Sequence, residues 1–312
     1  MMEVLRAAPL TTVQDLGRSG WRHLGVYAGG AMDTLALQQA NALLGNAPGA
    51  AALELVAGPL RLRLHRDAWV VQAGALFELR IDGVLQPSYW RRHVAAGQEL
   101  ELRGPQRGQY GLLAVDGGID LPACLGSRAT ALRAGFGGHE GRALEAGDQL
   151  PLGKPANPKR PRGIQPAVAH GSLGLLTGPE WLQLEPASRD AFWGAEWKLA
   201  PQSDRMGLRL SGPRLVRLGR ELPSHAVLPG LLQLPPGGQP ILLGADAQTT
   251  GGYPRIGQVM AADLWKLAHL RPGQSLRFLP MDLDSARQRL AQQAEALTKL
   301  RDWVHALDRL ER

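Results

Sequence analysis

Short runs of alternating apolar and polar residues, or of crowded aliphatic ones, recur along most of the chain. They cover residues 60–64, 68–73, 76–81 and 110–115, then 173–177, 230–234 and 241–244. Gly and Pro punctuate them about every ten residues, the spacing of a β-sandwich or barrel. A six-residue form repeats as Gly97-Gln-Glu-Leu-Glu-Leu, Gly147-Asp-Gln-Leu-Pro-Leu and Gly273-Gln-Ser-Leu-Arg-Phe. Each copy predicts a glycine turn leading into a strand, and the recurrence fits two related β domains.

Two stretches break the pattern with helical periodicity. In the first, Asp33 offers an N-cap and Ala36, Leu37, Ala40, Leu43 and Leu44 make one apolar stripe, closed by Gly45 and Asn46. The second runs from Asp284 to the end, with Leu290, Leu297, Leu300, Val304 and Leu307 on one face and balanced charge elsewhere, Glu311 and Arg312 included. It predicts a long amphipathic helix packed on the second domain.

The length of 312 residues suits two domains, and 44% hydrophobic with 20% charged residues describes a globular chain. No apolar run reaches the roughly 18 residues that span a bilayer, and the N-terminus has no basic stretch ahead of an apolar core. Cys124 is the only cysteine, which fits a cytoplasmic protein without disulfides and predicts a small buried side chain. The net charge of +7 is concentrated: Lys154, Lys159, Arg160 and Arg162 supply +4 of it within a stretch that lacks Asp and Glu. Basic residues without interleaved aromatics argue against a nucleic-acid face. Pro151, Pro155, Pro158, Pro161 and Pro166 fall in the same stretch, which therefore reads as a connector. The expected organisation is a first β domain over 1–152, a connector over 153–170, a second β domain over 171–282 and a helix over 283–312.

The common catalytic signatures are absent from the sequence: no phosphate-binding G-x-x-x-x-G-K-[ST], H-E-x-x-H, paired C-x-x-C or G-x-S-x-G occurs. No metal is expected. Three polar constellations remain. Asp15 and Arg18 flank Leu16-Gly17 in a turn, where they either pair with each other or face a substrate. Ser203-Asp204-Arg205-Met206-Gly207 sets a hydroxyl, a carboxylate and a guanidinium side by side, and Asp204 could orient Arg205. Asp246-Ala-Gln-Thr-Thr-Gly-Gly-Tyr-Pro-Arg255 joins paired glycines to the donors of Thr249, Thr250, Tyr253 and Arg255. Each is either a loop held by its own hydrogen bonds or a binding surface.

These same segments carry a resemblance. Residues 11–46, C-L-G-S-R-A-T from Cys124, G-G-H-E-G-R from Gly137, S-D-R-M-G and Q-T-T-G-G-Y-P-R-I together resemble the allophanate hydrolase subunit 2 (KipA) family. The likeness runs over about residues 3–282 in order. Ala129-Thr130 stands where the pattern has Ser-Thr, and the C-terminal helix lies outside it. The resemblance implies a mostly β fold with a few helices, in two cyclophilin-like β-barrel domains. It implies the C component of an ATP-dependent 5-oxoprolinase, active only with a KipI-like B component and an A component. The alternatives it leaves are a carboxyltransferase that moves CO2 from carboxybiotin to a urea-like amide, and a non-enzymatic antagonist of a KipI-like partner. The carboxyltransferase would need biotin on a separate carrier, since no M-K-M carrier sequence occurs. By analogy, Asp204, Thr249 and Thr250 would be catalytic. Asp15, Arg18, Ser203, Arg205, Gly251, Gly252, Tyr253 and Arg255 would bind the substrate.

Overall fold

A computed structural model describes residues 1–155, 160–169 and 171–310. Pro158 and Lys159 of the connector, and Glu311 and Arg312 of the terminal helix, lie outside them. The chain divides into two compact units. The first is made of Met1–Arg18, Gly29–Val168 and Ala294–Arg312, the second of Ser19–Ala28 and Ala169–Gln293.

The first unit is built from β1 (Met2–Arg6), β2 (Thr12–Gln14), β3 (Ala52–Leu55), β4 (Leu60–Leu64), β5 (Ala68–Ile81), β6 (Val84–Gln86), β7 (Trp90–Val94), β8 (Glu99–Val115), β9 (Gln149–Leu150) and β10 (Arg162–Gly163). They form a ten-stranded sheet in the order β10-β7-β5-β8-β4-β1-β9, with β2 on β3, β3 on β8 and β6 on β5. The runs 68–73 and 76–81 are one strand, paired antiparallel with β8 from Val70↔Val115 to Ile81↔Leu100. Its burial pattern explains its sequence. From Gly74 onward buried and half-buried residues alternate, as a one-sided strand requires. Before Gly74 both faces are covered: Val70 joins Leu53, Leu62 and Leu113 on one side, while Val71 and Ala73 meet a helix on the other.

That helix is α1 (Thr34–Leu44). The Asp33 carboxylate accepts from Ala36 N at 2.8 Å, and Gly45 ends the helix at φ 71°. The whole stripe of Ala36, Leu37, Ala40, Leu43 and Leu44 is buried. Val304 packs into the same cluster, and Asp308 takes both ends of the buried Arg91 guanidinium, whose Nη1 also donates to Leu43 O at 2.8 Å.

The second unit contains β11 (Ser172–Thr177), α2 (Pro186–Gly194), β12 (Trp197–Leu199), β13 (Gly207–Ser211), β14 (His225–Ala226), β15 (Leu231–Gln233), β16 (Ile241–Leu243), β17 (Thr250–Gly251), β18 (Arg255–Val259) and β19 (Ser275–Pro280). Seven of these close a barrel in the order β11-β18-β15-β16-β13-β12-β19, leaving β14 and β17 as a separate two-stranded ribbon. Leu173, Leu175, Leu208, Leu232, Leu242 and Ile256 are buried. Phe192 of α2 stacks on Phe278 with centroids 5.1 Å apart and meets Trp197 at 5.5 Å.

The mostly β reading with a long C-terminal helix is met, since α3 spans Leu283–Leu310. All three glycine repeats lead into strands, β8, β9 and β19. Two expectations are corrected. Cys124 is half-buried, because its backbone pairs with Ser127 in a surface turn. The C-terminal helix does not belong wholly to the second unit: Ala286 and Gln293 do, but Val304 and Asp308 are part of the first.

Candidate functional site

Asp15 and Arg18 lie in the first unit and do not pair with each other. The Asp15 carboxylate, 7% exposed, accepts from Gly17 N at 2.7 Å, Ser127 Oγ at 2.6 Å and Arg128 N at 2.6 Å. It ties two distant loops together, and its main-chain carbonyl accepts from Ala31 N at 2.9 Å. The neighbouring glycine turn needs glycine: Gly30 has φ 91°, and a Cβ there would lie 2.7 Å from Gly17 N. Arg18 donates through Nη2 to Ala129 O and lies under the Phe136 ring, 4.8 Å from its centroid. Its Nε and Nη1 are buried without a hydrogen-bond partner.

The other nine residues lie in the second unit, and there each arginine is paired bidentately with a carboxylate. Arg205 grips Asp246 through Nε at 2.8 Å and Nη2 at 2.9 Å. Asp204 is exposed and accepts instead from Met206 N and Gly207 N, at 2.8 and 3.1 Å. Ser203 closes the same turn by donating to Ala200 O at 2.8 Å and accepting from Arg209 N at 3.0 Å. Arg255 binds Glu180 through Nε at 3.0 Å and Nη2 at 2.8 Å, and its amide adds a third bond at 2.8 Å. Those bonds hold the Glu180 carboxyl below its ordinary range against the opposing effect of burial.

The Q-T-T-G-G stretch forms the ribbon, with Thr250 opposite Ala226 and Gly251 opposite His225. Thr250 and Tyr253 are exposed and Thr249 is half-buried. Gly252, Tyr253 and Pro254 line one side of a cleft of ≈ 550 Å³, with Arg214, Arg217 and Leu222 among the facing residues. Gly252 carries little around its missing side chain, since a Cβ there would meet only Leu222 O, at 3.5 Å.

Two residues escaped the sequence reading. Arg22 donates through Nη2 to Val227 O and to Gln248 O, the latter at 3.0 Å, and so ties the two sides of the ribbon together at one end. Its Nη1 is buried without a partner, as is Nε2 of His225, whose Nδ1 lies 3.1 Å from Pro223 O. Burial lowers the Arg22 pKa. Arg22 follows Arg18 by four residues within G-R-S-G-W-R, so the motif itself was the available signal. His225 stands in no motif.

Among the described residues, no group of three or more His, Cys, Asp or Glu could hold a metal ion, and no helix is long and apolar enough to cross a membrane.

A two-unit β protein with a closed barrel and a ribbon-borne polar loop defines the class. The chain belongs to the carboxyltransferase domain family, subdomains A and B, whose model matches residues 24–280. It is 45% identical to the C component of the Escherichia coli 5-oxoprolinase over 288 residues, which is 92% of this chain and 93% of that protein. It is 42% identical to the C component of the Haemophilus influenzae 5-oxoprolinase over 92% of this chain and 93% of that protein. The solved structure of K. lactis urea amidolyase superposes with a TM-score of 0.90 at 26% identity, covering 96% of this chain and 20% of that one.

Proposed function

We propose that this chain is the C component of an ATP-dependent 5-oxoprolinase and opens 5-oxoproline to L-glutamate together with its A and B components in the cytoplasm. Its 45% identity along nearly the whole length of the E. coli C component carries this reading. In the reaction, water adds across the lactam C–N bond. The carbonyl carbon takes the oxygen, the ring nitrogen takes a proton, and ATP is hydrolysed alongside. Donors aimed at the charge that develops on the lactam oxygen lower such a barrier. Thr249 and Thr250 supply hydroxyls for it, near the uncrowded backbone of Gly252, and Tyr253 borders the adjoining cleft. Arg22 fixes the stretch through the Gln248 carbonyl. Arg205 and Arg255, already held by Asp246 and Glu180, shape the loop and so act as positioning residues, as do Ser203 and Asp204.

The test mixes this chain with the purified A and B components, 5-oxoproline and ATP, and follows glutamate. Glutamate is expected only with all three proteins present, and formation unaffected by omitting this chain defeats the proposal. The match to the carboxyltransferase family favours a second reading, transfer of CO2 from carboxybiotin on a separate carrier to a urea-like amide. Consumption of carboxybiotin by this chain in the presence of urea would select it.

A further inference from the structure

Arg18 is 1% exposed, yet its Nε and Nη1 have no hydrogen-bond partner. A guanidinium stays charged at every accessible pH, so burying it without acceptors is unfavourable unless a ligand supplies them. The side chain is firmly seated: Nη2 is given to Ala129 O, and Phe136 covers one face. Gly137 closes in beside it at φ 69°, where a Cβ would lie 2.8 Å from Nη2. Nη2 carries two N–H groups, one on each edge of the guanidinium. One goes to Ala129, and the other makes a complete fork with the neighbouring unpartnered nitrogen, the geometry that takes a carboxylate bidentately.

A second unpartnered group accompanies it. Gln14 is 0% exposed, and its Nε2 donates to Thr12 Oγ1 at 3.1 Å and Thr130 O at 3.2 Å. Its Oε1 accepts from nothing. Arg18 and Gln14 are thus anchored on the consecutive carbonyls of Ala129 and Thr130, one offering spare donors and the other a spare acceptor. We propose that they recognise a carboxylate that carries an N–H on the adjacent carbon, Arg18 taking the carboxylate and Gln14 Oε1 the N–H. Resting on the 5-oxoprolinase reading, the ligand is 5-oxoproline, whose lactam N–H adjoins its carboxylate carbon.

Binding without ATP tests this independently of turnover. Calorimetry and thermal shift, on the chain alone and mixed with the A and B components, would compare 5-oxoproline, acetate and 2-pyrrolidone, the lactam without the acid. The wild-type chain is expected to prefer 5-oxoproline to 2-pyrrolidone. Arg18→Met should raise the 5-oxoproline Kd at least about tenfold, the loss of one or two charged hydrogen bonds, and abolish that preference. Arg18→Lys, which keeps the charge and loses the fork, should fall between. Gln14→Leu should weaken 5-oxoproline and leave acetate unchanged. Equal binding of acid and lactam, no carboxylate binding in either setting, or variants that bind like the wild type would overturn the proposal. Arg18-dependent carboxylate binding alongside glutamate formation that ignores this chain would sink the oxoprolinase reading and keep the site.

Discussion

Arg205 and Arg255 in the second unit and Arg18 in the first came from similar glycine-flanked polar motifs, and their surroundings set them apart. Arg205 and Arg255 each grip a carboxylate bidentately, Asp246 and Glu180, and so have their charge balanced within the fold. Arg18 is more deeply buried than either, and its partners are a carbonyl and an aromatic ring. A paired arginine holds its own loop together, and removing it strands a carboxylate. An arginine buried with donors of its own to spare is, on the proposal above, held ready for an anion from outside. Residue type does not separate these roles; the acceptors within reach do.

The sharpest way to break the contrast is to truncate both kinds. Arg205→Met leaves Asp246, 6% exposed, without its partner and should cost about 3 kcal/mol of stability, read from the urea midpoint. Arg18→Met exchanges an unbalanced buried cation for an apolar chain of similar reach and should change stability by less than about 1 kcal/mol. If it costs as much as Arg205→Met, Arg18 is structural and the contrast collapses. Arg255→Met should fall between, at about 2 kcal/mol, because Glu180 is buried but Arg255 itself is partly exposed.

Much of the fold was legible in advance. The α1 boundaries followed from Asp33 and Gly45, because a cap and a left-handed terminus are local chemistry. The strand runs and the glycine repeats were equally local. What could not be read was pairing over distance. Nothing around Asp204 reveals that Arg205 turns to Asp246, 41 residues on, or that Arg255 reaches back 75 residues to Glu180. Likewise, no periodicity signals that Ser19–Ala28 belongs to the second unit, where Arg22 clamps the ribbon. The polar motifs were visible, and their partners were not.

A smaller effect concerns the loop that covers Arg18. Arg142 bonds the Asp148 carboxylate through both ends at 2.8 Å, with His139 beside it at 3.2 Å. Those bonds hold the Asp148 pKa down to about 2. Because the folded value is depressed, the stabilisation is fully present above the unfolded value of 3.8 and is lost as pH falls toward about 2. Acid unfolding should therefore show a loss of about 1 kcal/mol in that window, absent from Asp148→Asn. A slope that persists in the variant would place the acid sensitivity elsewhere, at Glu180 or Asp308, whose carboxyls are also held low.

Thr250→Ala should show the smallest change in stability and still affect the proposed chemistry. The residue is exposed on the ribbon, so the loss should stay within about 0.5 kcal/mol. Its hydroxyl is one of the donors assigned to the lactam oxygen, so kcat in the reconstituted three-component mixture should fall about tenfold or more while KM moves little. If Thr250→Ala instead leaves kcat unchanged, its hydroxyl does not act on the developing charge, and the role proposed for the ribbon falls.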